Sequence, residues 1–147
     1  RISDAGIAAL AGSDTVGVLL PGTIFSLGLH DHAPAREMID RGVAVALATD
    51  FNPGSNWCES MPLTIAIACT QLHLHPHEAL AMATINAAHA LRRGERVGSL
   101  AVGKSCDCNI LRDESIDRLA HHLGLDPIAK VVRAGRLVVD NRTPVGS

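Results

Sequence analysis

Ala44-Val45-Ala46-Leu47-Ala48-Thr49-Asp50-Phe51-Asn52-Pro53-Gly54-Ser55 decides how the rest of the chain is read. An apolar run stops at an aspartate, and a turn of polar and special-geometry residues follows. An unbroken apolar run predicts a parallel strand covered on both faces, because a half-covered strand alternates. Asp50 then stands at the carboxyl end of that strand, where α/β proteins gather their reactive groups. Asn52, Pro53, Gly54 and Ser55 supply a stiff corner, a permissive backbone position and two side chains able to hydrogen-bond a ligand.

Working outward, residues 3–11 read as a short helix with Ser3 as its N-cap. Residues 15–20 read as a compact strand closed by Pro21-Gly22. Residues 33–41 place Met38 and Ile39 on one side and charges on the other, which predicts a helix ended by Gly42. Residues 43–49 form the second strand, so the order is helix, strand, helix, strand. Such repeats build parallel sheets with right-handed crossovers. Beyond the Asn52 turn, Ile65, Ala68, Cys69 and Leu72 recur at helical spacing within a predicted helix over 58–74. Pro76 suits the first turn of another helix, and Thr84-Ile85-Asn86 opens a third that ends near Gly94. After Gly94 the character changes. Residues 97–104 and 107–111 read as short strands around a glycine turn. Residues 131–139 read as a hairpin turning at Ala134-Gly135. A boundary is therefore placed between residues 1–94 and 95–147.

The 147 residues suffice for one domain with a core. They fall short of the roughly 250 that an eight-stranded β/α barrel takes. The sequence opens on Arg1-Ile2-Ser3-Asp4 without methionine and enters helical pattern at once, so the numbering is expected to begin inside a longer protein. A net charge of −2 gives no drive toward nucleic acid or an anionic membrane surface. Hydrophobic residues make up 47%, yet none of their runs approaches the roughly 18 residues of a membrane-spanning helix. No signal peptide is visible. Cys58, Cys69, Cys106 and Cys108 are too few for a disulfide scaffold, so a reduced, cytoplasmic setting is expected. An aromatic content of 2%, with no tyrosine, argues against base-stacking surfaces.

At this point the residues resemble a known family. Residues 48–55 resemble the end of the eighth barrel strand in imidazolonepropionases, members of the amidohydrolase superfamily. Val18-Leu19-Leu20-Pro21-Gly22-Thr23 is similar to their seventh strand and its exit, and Ala33, Arg36, Met38, Ile39, Gly42 and Val43 match the helix between. Ala83-Thr84-Ile85-Asn86-Ala87-Ala88 and Gly98-Ser99-Leu100, with Gly103-Lys104, recur across the wider superfamily. Where that superfamily shows Ser-Ala-Asp-Leu, this chain has Ser105-Cys106-Asp107-Cys108, and Leu29-His30-Asp31-His32 is not a family feature. The resemblance implies an α/β fold: the C-terminal part of an amidohydrolase-type (β/α)8 barrel with strands of a small β-sandwich domain. It implies hydrolysis of 4-imidazolone-5-propanoate to N-formimidoyl-L-glutamate, with one divalent metal, zinc or iron, activating the attacking water. An His-x-His pair and a further histidine would complete the metal site from strands upstream of this chain. The partners implied are a small-molecule substrate and the remainder of the same enzyme, with a homodimer compatible. Alternatives are another cyclic amidohydrolase or deaminase of the superfamily, or a non-catalytic α/β fragment.

Within the resemblance, Asp50 would ligate the metal and take a proton from water, since a carboxylate is an anionic donor that also accepts protons. The plainer reading is a strand-end aspartate capping its turn. Asn52, Gly54 and Ser55 would hold the substrate's carboxylate and cyclic amide, or else merely close a turn. His30 and His32 imitate a metal-binding pair, but between Gly28 and Pro34 they read as loop. His73, His75 and His77 straddle a helix end and a proline start, which predicts capping and surface roles. His121 and His122 are expected to be exposed. Cys106 and Cys108 read as alternate residues of one strand, and Cys69 as core. Lys104 and Arg133 read as turn and strand surface.

Overall fold

A computed structural model describes residues 2–141, 143 and 144. Helix α1 (Asp4–Ala11) starts where Ser3 Oγ accepts a hydrogen bond from Gly6 N at 3.2 Å. Strand β1 (Gly17–Leu19) pairs in parallel with β2 (Val45–Leu47), with Gly17 opposite Val45 and Leu19 opposite Leu47. Between them lie α2 (Pro21–Ser26) and α3 (Ala35–Asp40), and Gly42 takes a left-handed φ of +81° just after α3. Helices α4 (Met61–Gln71), α5 (Pro76–Ala83) and α6 (Ile85–Ala90) follow. Strand β3 (Cys108–Leu111), the single-turn helix α7 (Arg118–His121), β4 (Ile128–Arg133), β5 (Arg136–Asp140) and β6 (Thr143–Pro144) complete the order. The last four strands form one antiparallel sheet in chain order.

Val45, Ala46 and Leu47 are all buried, as an unbroken apolar strand requires. Helices α3, α5 and α6 pack on β2. Met38, Ile65, Ala68, Leu72, Ala79 and Met82 join the two strands in the core. Asn86 of α6 donates to the carbonyl of Val45 at 2.8 Å, satisfying a strand acceptor that β1 leaves open. Leu119 of α7 enters the same core, and α7 packs on α4. The segment after Gly94 is therefore tied to the helical layer.

Three expectations are corrected. Pro21-Gly22 does not merely close the strand but starts α2, because proline's fixed φ and missing N–H suit the first turn of a helix. Residues 97–104 form turns rather than a strand. Gly98 and Gly103 adopt φ of +92° and +89°, which breaks an extended path, and Leu100 and Val102 stay exposed. The helix predicted over 58–74 is shorter: Ser60 caps α4 through a 3.3 Å bond from Leu63 N, and Pro62 occupies its first turn. The hairpin is as read, with Ala134 and Gly135 both at positive φ, 49° and 76°, the geometry of a two-residue twisted turn.

Candidate functional site at the strand exits

The strand ladder continues past β2, where Ala48 N donates to Leu19 O at 3.1 Å. Two residues later the extended path ends. Asp50 adopts φ +54°, a left-handed conformation uncommon outside glycine and most accessible to Asn and Asp. Its half-buried carboxylate meets the exit of the other strand: Thr23 Oγ1, on the first turn of α2, donates to Asp50 Oδ2 at 2.8 Å. Oδ1 accepts no hydrogen bond among the described residues.

The following turn is organised by Asn52. Its Oδ1 accepts from Gly54 N at 2.8 Å and Ser55 N at 2.9 Å, and its Nδ2 donates to Asp50 O at 2.7 Å and Ser55 Oγ at 3.0 Å. An Asx turn of this kind mimics a backbone turn and holds the loop rigid. Structure thus brings Asp50, Asn52, Gly54 and Ser55 together on one short corner. The unusual backbone belongs to Asp50, not to Gly54, whose φ lies outside the left-handed region.

Asn56 carries no pattern in the sequence that marks it as part of this corner. It is 1% exposed and forms an antiparallel bridge with Asn52. Its Nδ2 donates to Thr49 O at 2.6 Å, while its Oδ1 accepts from Ser26 Oγ at 2.9 Å and Cys58 N at 3.1 Å. Every polar atom of the buried amide is thereby engaged on both strand exits. Gly22 makes this possible, since a Cβ there would lie 2.7 Å from Asn56 Nδ2. Just outside the bridge, Phe51 and Trp57 meet edge to face with centroids 5.8 Å apart. The signal for Asn56 was only its sequence distance from Asp50, and the signal for Thr23 only its place after Pro21-Gly22.

The remaining candidates lie elsewhere. His30 and His32 sit in the loop before α3, and His32 helps line a hollow of about 420 Å³ that Thr23 also borders. His75 caps α5: its Nδ1 accepts from His77 N at 3.3 Å, and Glu78 Oε2 accepts from His75 N at 2.9 Å. Arg36 grips Glu78 with two bonds of 2.9 and 3.0 Å, and this guanidinium first, then the His75 N–H, holds the Glu78 carboxyl below its usual range. His73, His121 and His122 are exposed. Cys108 lies on β3 and exposed Cys106 just before it, so they do not share a strand face as expected. Cys69 packs against the core, and burial pushes its thiol pKa up. Lys104 Nζ donates to Gly94 O, and Arg133 is exposed at the end of β4.

As for metal, no three His, Cys, Asp or Glu side chains are grouped to hold an ion among the described residues. Asp50 has the right chemistry for one ligand, an anionic oxygen at a strand mouth, and no more.

The sequence pattern of the amidohydrolase family matches residues 12–138. An imidazolonepropionase of Herpetosiphon aurantiacus is 51% identical over 92% of this chain and 32% of its own length. That of Symbiobacterium thermophilum is 49% identical over 94% of this chain and 32% of its own. The chain thus spans about a third of the length of the curated relatives it matches. Among solved structures, an adenosine deaminase of Xanthomonas campestris with bound zinc aligns over 100% of this chain and 37% of its own, with a TM-score of 0.87 at 22% identity. A mutant atrazine chlorohydrolase of Arthrobacter aurescens, complexed with zinc and atraton, aligns over 99% of this chain and 36% of its own, with a TM-score of 0.82 at 23% identity. At that identity these two speak to the fold alone. With the family pattern running across most of its length, the chain belongs to the amidohydrolase family.

Proposed function

We propose that this chain is the C-terminal part of an imidazolonepropionase, which adds water across the cyclic amide of 4-imidazolone-5-propanoate to give N-formimidoyl-L-glutamate in histidine degradation. One observation carries the reading: Asp50 stands at the mouth of the parallel strand pair with one carboxylate oxygen tethered and the other without a hydrogen bond among the described residues. Identities of 44–51% to imidazolonepropionases favour this substrate over those of the deaminases, whose likeness is one of fold.

The proposal includes one divalent metal, zinc or iron, which when bound supplies Lewis-acid activation of water. Asp50 Oδ1 is the oxygen free to face the metal and to take the proton that water gives up. The other ligands come from the remainder of the enzyme. Asn52, Gly54 and Ser55 form the wall against which the substrate rests. Ser55 Oγ accepts from Asn52 Nδ2 at 3.0 Å and donates to Asn52 Oδ1 at 3.2 Å, and a ligand oxygen would take over that longer donated bond, because a hydroxyl rotates to suit its acceptor. Residues 1–94 are assigned to the barrel and 95–147 to the β-sandwich, supported by parallel pairing in the first and antiparallel pairing in the second. The cytoplasm is the proposed location, supported by four free cysteines. No helix among the described residues is long and apolar enough to cross a membrane.

The test is Asp50→Asn in the complete enzyme. The amide keeps the shape but carries no charge and takes no proton, so turnover should fall about 10²-fold or more. Steady-state kinetics beside metal analysis read the result, and near-normal rates for the variant would show Asp50 to be a turn residue.

A further inference from the structure

We propose that Thr23 is a positioning residue for Asp50: it holds one carboxylate oxygen so that the other is presented to the metal. The inference rests on the reading of Asp50 given above. The backbone around Asp50 is already clamped on both sides. Asn56 Nδ2 holds Thr49 O, and Asn52 Nδ2 holds Asp50 O. What those bonds leave free is the carboxylate itself, whose terminal torsion has a broad, two-fold preference. Thr23 Oγ1 removes that freedom through a 2.8 Å bond to Oδ2.

Thr23 is itself well held. The residue before it, Gly22, lies against the Asn56 amide, and three residues on, Ser26 Oγ donates to Asn56 Oδ1. Both ends of α2 are thus seated on the same buried amide that clamps Thr49. A β-branched side chain adds stiffness at χ1, so the hydroxyl is aimed before any ligand arrives. Both partners are half-buried, which limits competition from water. A bond donated to a charged acceptor is stronger than one between neutral groups.

The experiment compares Thr23→Val, Thr23→Ser and Asp50→Asn in the complete enzyme, with zinc as the metal. Zinc retention is read by chelator competition, and turnover by steady-state kinetics. Thr23→Val keeps the shape without the donor. It should lose zinc at about tenfold lower chelator and drop kcat about tenfold with KM little changed, the scale of one hydrogen bond to a charged group. Thr23→Ser, which keeps the hydroxyl, should restore both. Wild-type zinc retention in Thr23→Val overturns the proposal, as does equal loss in Thr23→Ser and Thr23→Val, which would make the role one of packing. If Asp50→Asn also retains zinc and turnover, the reading of Asp50 falls with it. If Asp50→Asn fails while Thr23→Val behaves as wild type, only the role of Thr23 is lost.

Discussion

At the scale of single residues, the site depends on two neighbours that do no chemistry. Gly22 is needed for space: a methyl there would meet Asn56 Nδ2 at 2.7 Å, and Asn56 has no room to retreat at 1% exposure. Gly22→Ala should cost roughly 1–3 kcal/mol of stability, the range for overpacking a filled interior. It should also lower turnover by the complete enzyme, because the amide that clamps Thr49 O and Ser26 must shift. A thermal melt indistinguishable from wild type would mean that the amide yields freely. By contrast, a Cβ at Gly54 would lie 3.2 Å from Asn52 Oδ1, which asks that side chain to give only slightly. Asp50 was legible in the sequence because an apolar run ended on it. Thr23 was not, since Asp50 lies 27 residues from it, nor was Asn56, whose near partners Thr49 and Cys58 are joined by Ser26, 30 residues away.

At the scale of elements, the helices announce themselves through their first turns. Ser3, Ser60 and His75 each cap a helix with a side-chain acceptor, and Pro62 and Pro76 sit where a helix needs no N–H. Helix α2 carries no such local mark, because Leu20 provides no side-chain cap and Pro21-Gly22 has the look of a terminator. Helix α5 is further tied to α3 by the two-bond Arg36–Glu78 pair. This pair has a pH signature. The Glu78 carboxyl is lowered in the folded protein, so its contribution is full above the ordinary Glu value of about 4.3 and is lost as pH falls through the folded value. Glu78→Gln keeps an acceptor for His75 N but removes the charge. The melting temperature of the complete enzyme should exceed that of Glu78→Gln above about pH 5, and the gap should close on further acidification. A gap that stays constant down to pH about 3 would show that the charge contributes nothing. Because the pair is partly exposed, at 42% and 35%, the gap should be small.

At the scale of the molecule, one carboxylate is not a metal centre. Catalytic sites of this kind use about three protein ligands, and no such group exists among the described residues. The chain purified alone should therefore neither turn over 4-imidazolone-5-propanoate nor hold zinc at one equivalent; measurable turnover in a preparation free of longer protein would refute this. The sequence by itself determined the parallel strand pair, the aspartate at its mouth and the turn after it. Each of these is written in local pattern: an unbroken apolar run, an abrupt polar stop, and residues whose torsions or side-chain bonds make a corner. The 134–135 hairpin belongs with them, since a two-residue turn is a local matter. Tertiary structure alone decided which polar groups meet. Whether Thr23 reaches Asp50 and whether Asn56 is buried both depend on how separate segments are packed. Hydrogen-bond partners tens of residues apart leave no periodic trace in a chain, because what selects them is the space left after the apolar core has closed.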